Sequence, residues 1–573
     1  MKIPKLFPFA CVALMMTACA SDKEEMGGGT RPGSDPRYLA VNIVNVGATP
    51  TTRGTDDYEN GTTDESTIKK VRFYFFNGDG SPYLIKNPGV TGVEGGENKN
   101  WLEASPADDS STSGTPSQIE KITQTVLVIN GVQSAAPAAI VAVVNPGTVD
   151  ATKIQNGETM RLSELRYSTV GSQFYKKDPT TGAVSDFVMS NSVYVNAGED
   201  VCASLVAGHV TTSEETARTK PVDLYVERVV AKVTADVDKT AFKLGNGTDW
   251  DATKYGTKDP VGKSGDYDVY AVIDGWGLAN ENGKAEVEKQ VNKTWTDGIL
   301  GFSPWTTADY HRCFWEASVG FDAGAGGNQP VNPKFNQLKA KMQDVLYTLP
   351  NTSENEVTNL KDNDLTKFAV AATLRYKDAA GNWHDAEICR YNGVSILGID
   401  NLKRQVALTF SQYYTSTDAT NYTQLSKDDI DFKNPDGTMQ PYLVTPTLAD
   451  APTGTKYYTK TTTGTTPTFT EVDKATVLGA IEADKAEIRL GGRAYYYVPI
   501  KHLGGTGELA EYGIVRNHFY KITLSGITGF GTPVYDPEKV VDPIVPTYEN
   551  TYLAARVQVL QWRVVNQNAS LGN

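Results

Sequence analysis

Short runs in which apolar and polar side chains alternate recur along this chain. A period of two suits a strand that buries one face, so sheets are what these runs can build. Val71, Phe73 and Phe75 share one face of residues 68–76, and Val229, Ala231, Val233 and Ala235 share one face of a long run over 222–237. Further strands are expected at 125–129, 140–144, 187–189, 268–273, 368–375, 495–498 and 520–524. The gaps between them are rich in Thr, Asn, Gly and Pro, with 52 Gly and 28 Pro in all, which suits short strands joined by turns, as in a β-sandwich. A helix is predicted near 160–167. A second is predicted from the helical spacing of Phe335, Leu338, Met342, Val345 and Leu346, closed by Pro350. Residues 459–470 are Thr-rich and poor in large apolar side chains, and read as a surface insertion. At 573 residues, 39% of them hydrophobic, the chain can bury more than one core.

The first residues carry a different signal. Met1-Lys2-Ile3-Pro4-Lys5 is basic, residues 6–16 are apolar, and Thr17-Ala18-Cys19 follows. That apolar stretch is too short to span a bilayer and reads as a secretory signal. Small residues directly before a Cys form a bacterial lipobox, so cleavage before Cys19 and lipidation of that residue are expected, with Met16 where Leu is commoner. Ser21-Asp22-Lys23-Glu24-Glu25 resembles the export signal that sends Bacteroidetes lipoproteins to the outer face of the outer membrane. Residues 26–36 are Gly-rich and polar, a flexible tether. The net charge of −14 argues against nucleic acid or an anionic membrane surface as a general partner. Cys202, Cys313 and Cys389 are too widely spaced for a disulfide framework or a metal knuckle, and read as buried thiols, with one disulfide left open.

The two ends of the chain echo each other. Tyr38-Leu39-Ala40 opens a strand over 37–46, and Tyr552-Leu553-Ala554 opens one over 551–565. Asn42-Ile43-Val44-Asn45-Val46 has the same polarity pattern as Gln558-Val559-Leu560-Gln561-Trp562. Two strands of one pattern can compete for one groove. In the terminal segment Leu553, Ala555, Val557 and Val559 share a face, then the phase flips to Leu560, Trp562 and Val564, which predicts a bulge or a break. The first segment flips too, from Leu39, Val41 and Ile43 to Val44 and Val46. Residues 47–67 read as an exposed loop, in which Arg53, followed by Gly54, is the one basic residue and a good target for a trypsin-like protease. Pro533, Pro537, Pro543 and Pro546 stiffen the approach to the terminal strand.

These features bring a family into view. The lipobox at Cys19, Arg53-Gly54 with Asp56-Asp57-Tyr58, Val188-Met189-Ser190, Tyr225-Val226-Glu227-Arg228, Tyr495-Tyr496-Tyr497, residues 515–520 and the terminal strand together resemble the Bacteroidetes type V pilins, the FimA-like and Mfa-like fimbrial subunits. The stretch Val515-Arg516-Asn517-His518-Phe519-Tyr520 is the most telling piece. The resemblance implies a mainly β fold: two transthyretin-like β-sandwich domains in tandem, a few short helices and a C-terminal donor strand. It implies a signal peptide over 1–18, a lipidated tether and removable first strand over 19–53, and sandwich domains over 54–238 and 239–531. A Pro-rich spacer and donor strand would occupy 532–573. It further implies that an Arg-specific protease cuts at Arg53, that the strand bearing Leu39, Val41, Ile43, Val44 and Val46 leaves, and that the terminal strand of another copy fills its place. The partners implied are other copies, accessory fimbrial subunits, the protease, and the outer membrane through the lipid on Cys19. Met16 and the Thr-rich insertion depart from the family pattern.

Residue patterns for chemistry are sparse. His209, His311, His384, His502 and His518 lie far apart in sequence and none has a zinc-binding spacing. No Gly-x-Ser-x-Gly elbow or phosphate-binding loop is present, so no catalytic, metal or cofactor site is expected. The competing expectation is a glycan-binding or adhesive surface lipoprotein that does not polymerise, with Trp276, Trp305, Trp315 and Trp383 as aromatic platforms.

Overall fold

The computed structural model describes residues 37–45, 61–85, 93–94, 98–105, 121–129, 135–146, 152–171, 174–196, 199–242, 255–291, 316–322, 327–352, 365–434, 443–463, 465–502, 512–541, 552–560 and 565–566. The chain is mainly β, with few and short helices. A nine-stranded sheet forms the first lobe. Its central run places β1 (Arg37–Asn45), β2 (Val71–Phe76), β3 (Lys121–Ile129), β4 (Ala139–Val144), β5 (Met189–Asn191) and β6 (Val222–Arg228) in the spatial order β2-β4-β5-β6-β1-β3. Phe73, Phe75, Ile140, Val144, Leu224 and Val226 fill its core.

The second lobe is a sandwich. One sheet contains β7 (Ala231–Val237) flanked by β9 (Val345–Thr348) and by β12 (Phe519–Thr528), which in turn carries β13 (Tyr552–Leu560) and β14 (Val565–Asn566). The other is built around β8 (Tyr267–Ala279), β10 (Lys367–Lys377) and β11 (Arg493–Pro499). Val233, Ala235, Ile522 and Leu524 from the first sheet meet Val269, Phe368, Val370 and Tyr496 from the second in one buried cluster.

Between β10 and β11 the chain builds a further core of its own. Leu402 and Val406 of α4 (Ile399–Thr409), Val477 and Ile481 of α5 (Lys474–Ile481), Cys389, Val444 and Tyr457 pack together there. The Thr-rich stretch is part of this insertion, a β-hairpin (Lys456–Thr463, Thr466–Val472) with mostly exposed side chains. The sandwich thus begins with β7, ahead of residue 239, and carries an inserted lobe between β10 and β11.

Three sequence expectations change. The run over 222–237 is two strands, not one. The chain leaves the first sheet after Arg228 and enters the second at Ala231, because Val229 donates to the Val188 carbonyl (3.1 Å) and Lys232 to that of His518 (2.9 Å). The helix expected over 335–346 is a 3-10 turn (Phe335–Gln337) followed by extended chain. Its backbone is committed elsewhere: Ala340 exchanges hydrogen bonds with Trp276 (2.9 and 3.1 Å). Gly275 permits that approach, since a Cβ there would lie 2.4 Å from the Leu338 carbonyl oxygen. Finally, the loop over 47–67 is not exposed throughout. Thr62 caps α1 (Thr63–Ser66) in a reciprocal box with Glu65, which is buried.

Buried charges join the lobes. Glu65 accepts from the Lys232 ammonium (2.8 Å) and from the Tyr347 hydroxyl. Arg228 donates to the Glu65 carbonyl (2.7 Å), to Ser66 Oγ (2.9 Å) and to Asn517 Oδ1 (3.2 Å). Beside them Arg516 grips Glu316 (2.8 Å) and the carbonyls of Val287 (3.0 Å) and Glu286 (2.8 Å), while Lys289 meets Glu227 (2.8 Å). Ala285 and Val287, from the second half of the chain, enter the first lobe's core. Asn517 adopts φ +56°, a left-handed conformation that Asn tolerates better than most residues. Two of the sequence pieces that carried the family resemblance, 225–228 and 515–520, therefore meet at this junction.

Burial works to raise the Glu65 carboxyl, but the Lys232 charge and the hydrogen bonds from Lys232 and Tyr347 outweigh it and hold it below its ordinary range. Removing one partner of a buried pair strands the other, at a cost of about 3–5 kcal/mol. Glu65→Ala is therefore expected to lower unfolding stability at neutral pH by ~3–5 kcal/mol in denaturant titrations. Glu288 behaves oppositely. Its carboxyl is fully buried, and burial outweighs the Arg166 charge, the Cys202 thiol and the Arg516 charge, pushing it from 4.5 up to about 8. The folded chain thus holds a proton that the unfolded chain releases between those values. The stability it contributes is present below pH 4.5 and is lost as pH rises through about 8. Glu288→Gln should remove this slope, gaining on the parent by up to ~1.4 kcal/mol per pH unit within the window, read from thermal unfolding at several pH values.

Candidate functional site: the first strand and the terminal strand

β1 is enclosed on both edges. It pairs antiparallel with β3 along its full length, from Arg37 opposite Ile129 to Asn45 opposite Lys121. On its other edge it pairs parallel with β6, from Val41 beside Val222 to Asn45 beside Val226. It is enclosed on both faces as well. Leu39 and Val41 are fully buried in the first lobe's core, and Ala40, on the opposite face, is also fully buried. α3 (Glu214–Arg218), a short helix capped by Ser213, lies against β1 and β3, and its buried Ala217, like Ala40, takes no part in the first lobe's core cluster, which sets the helix on Ala40's side of the sheet. Burying Leu39 and Val41 is worth roughly 1.5–3 kcal/mol each before ordering costs.

The pairing of β1 is continuous, so the change of apolar phase at Val44 is not a bulge, contrary to the sequence expectation. Both neighbours continue in step with it, and the ladder sets register here rather than the side-chain pattern. Ile43 and Val44 lie within the paired strand, and Val46 falls outside the described residues.

The terminal strand lies elsewhere. β13 pairs antiparallel with β12, from Tyr552 opposite Thr528 to Leu560 opposite Phe519. The register shifts between Leu524 and Gly526, opposite Ala555 and Ala554. The segment then breaks after Leu560, and β14 returns beside it, Val565 opposite Val559, at the point where the apolar phase flips. Leu553, Ala555, Val557, Val559 and Leu560 lie on the paired strand, while Trp562 and Val564 fall outside the described residues. So do Cys19, Arg53 and Gly54. Among the described residues, the expected site residues of the two ends therefore lie apart: β1 is in the first lobe and β13 on the sheet of the second.

Elsewhere the fold draws in two of the histidines. His502 and His518 are distant in sequence but neighbours in space, with ring centroids 5.3 Å apart, because the Tyr520 hydroxyl bridges to His502 Nδ1 (2.9 Å) and His518 Nδ1 bonds the Arg516 carbonyl (2.8 Å). Both are buried and belong to the junction. His209 and His384 lie apart from them, and His311 is outside the described residues. Trp276 is fully buried, its indole N–H donating to the Lys341 carbonyl (2.8 Å), so it is no sugar platform. Trp383 is half-buried edge-on to Tyr270, and Trp305 and Trp315 lie outside the described residues. Cys202 and Cys389 are buried free thiols, each pushed up to about 12 by burial, and Cys313 is outside the described residues. Among the described residues no helix is long and apolar enough to cross a membrane.

With this geometry in place, the chain can be set against known proteins. Residues 490–568 match the family model described as major fimbrial subunit protein type IV, fimbrillin, C-terminal. This end of the chain is fimbrillin-like. The matched range takes in β11, β12 and β13, and with them Arg516 and Asn517 of the junction. No curated protein matches the chain. Among solved structures, a candidate cell adhesion protein from Bacteroides eggerthii DSM 20697 matches at 12% identity and TM-score 0.36, covering 94% of this chain and 98% of that one. A fimbrilin from Porphyromonas gingivalis W83 matches at 13% identity and TM-score 0.34, covering 92% and 99%. The tip fimbrial protein Mfa3 from Porphyromonas gingivalis, with C-terminal truncation, matches at 9% identity and TM-score 0.28, covering 92% and 100%. Likeness this loose carries no argument by itself.

One property of β3 follows from the strand order. It stands at the rim of its sheet, and among the described residues its ladder partner is β1. Taking β1 away removes main-chain pairing from β3 as well as from β6. Hydrogen exchange on a trypsin-cut chain ending before Thr551, in which β1 has been released and its place stays empty, should show amides 121–129 losing protection while β4, held between β2 and β5, keeps it.

Proposed function

We propose that this protein is the structural stalk subunit of a cell-surface fimbrium, made as a lipoprotein precursor with its lipid on Cys19. The fimbrillin-like stretch over 490–568 is the observation that carries this reading. In it, an Arg-specific protease cuts between Arg53 and Gly54, β1 leaves with its tether, and the terminal strand of a second copy enters the vacated place. The partners are other copies, accessory fimbrial subunits and the protease, and the work is mechanical rather than catalytic.

The ladder geometry supports this order of events. A strand in β1's position satisfies main-chain groups along two edges, whereas β13 has β12 along one edge and two residues of β14 on the other. A terminal strand moving from its own rim into another copy's interior position therefore gains pairing. While β1 is in place the position is filled, and a second copy cannot compete. Cleavage favours the exchange, since a detached β1 is no longer held beside its place by the chain and loses its high effective concentration there. Addition of a strand to a sheet is a known mode of protein recognition.

The reading is tested on the precursor. Limited trypsin should yield a new N-terminus at Gly54 and denaturant-resistant ladders on gels. Arg53→Ala should abolish the ladders and leave the unfolding midpoint of the precursor unchanged. A chain ending before Thr551 should accept a strand and donate none, so it should cap growing polymers. Long polymers built from such truncated chains alone would rule out the assigned donor. A protein that is cut yet stays monomeric and binds sugar would instead be the adhesive lipoprotein.

A further inference from the structure

The echo between the two ends of the chain allows two alignments. Matching Tyr38-Leu39-Ala40 to Tyr552-Leu553-Ala554 sets one register, and matching Asn42–Val46 to Gln558–Trp562 sets another, two residues further along. Both keep the same face toward the core, so the period-two pattern cannot choose between them.

The roof over β1 can. Ala40 is fully buried on the side away from the core, where α3 crosses β1, so a strand in this place needs a small side chain at that position. On the face of the terminal strand that would turn toward α3, the residues are Tyr552, Ala554, Arg556, Gln558 and Leu560, of which Ala554 alone is small. The first alignment seats Ala554 at Ala40's position. The second seats Arg556 there, placing a guanidinium in a fully covered site. A slip by one residue turns Arg556 inward, to the place of Val41 in the core.

The same alignment has an electrostatic counterpart. Arg556 takes the place of Asn42, whose register neighbour on β6 is the exposed Asp223. Leu553 replaces Leu39, and Val557 replaces Ile43. The first strand carries no charge at this position, so Arg556 adds one beside Asp223 on docking.

We propose that α3 selects the register in which a second copy's terminal strand docks, with Ala554 beneath the helix and Arg556 beside Asp223. This rests on the exchange proposed above. It makes Ala554 the position that determines which strands the socket admits.

Cross-linking reads the register directly. Val44 lies opposite Ile122 on β3, so Gln558 should face residue 122 of the receiving copy. Two full-length double variants that keep Ala554 and Arg556, Ile122→Cys with Gln558→Cys and Ile122→Cys with Leu560→Cys, are cut with trypsin, allowed to assemble and oxidised. Facing positions on antiparallel strands fall within disulfide range. The intercopy bond through 558 should exceed that through 560 by more than about tenfold, the ratio set by a register preference above one decade. A preference for 560 overturns the proposal while leaving strand exchange intact. Failure of the trypsin-cut parent to polymerise overturns both. As a second readout, Ala554→Tyr should abolish ladder formation and Ala554→Ser should retain it; ladders from the Tyr variant equal to the parent's would also overturn the proposal.

Discussion

A strand inside a sheet satisfies the main chain along two edges, and a strand on the rim along one. That inequality governs both ends of this molecule. β1 holds an interior place between β6 and β3, and in doing so it keeps β3 in the sheet. β13 holds a rim place beside β12, interrupted by a register shift and ended by a short return. The first end is therefore costly to remove without a replacement, and the second is the one able to move. Ladder pairing, which depends little on side-chain identity, supplies the attraction. Side chains then decide fit, and at β1 the fit is unusually demanding because both faces are covered at Leu39, Ala40 and Val41.

The junction between lobes uses a different physics. Glu65, Arg228, Lys232, Glu227, Lys289, Glu316 and Arg516 are all withdrawn from water there, each with a partner of opposite charge or a carbonyl. Buried ion pairs contribute little net stability compared with apolar packing, but they are unforgiving of misalignment. Segment 285–290 crosses into the first lobe, and Tyr347 packs its ring against Phe187 at 4.7 Å. The lobes are thus joined by contacts that fail together if their mutual placement shifts.

Much of the β-structure was legible because a half-buried strand writes its period of two into the chain. Residues 71–76 declare themselves in that way, whereas 139–144 and 367–374 do so as near-continuous apolar runs that the sheets cover on both faces. What was illegible depended on partners distant in sequence. Phe335, Leu338 and Met342 have helical spacing, yet Trp276 claims the backbone of that segment. Arg228 ends β6 because its guanidinium has work at the junction, which no local pattern reveals. The pairing of His502 with His518 is likewise spatial. Two features could have been read and were not: Thr62-Thr63-Asp64-Glu65 is a capping-box sequence, and Ile399, Leu402 and Val406 mark one side of α4. The resemblance of residues 515–520 to a known family was visible from the sequence, but its physical content was not. Arg516 and Asn517 matter because they tie the lobes together, while Tyr520 steadies the chain beside them through the Val515 amide (2.8 Å).

Glu65 sits a short way downstream of Arg53, on the side of that bond the mature chain would keep. It is clasped by the second lobe through Lys232 and Tyr347. A chain severed at Arg53 would consequently begin eleven residues ahead of that mooring. Loss of the leader would leave this mooring intact and confine the damage to the sheet that β1 vacates.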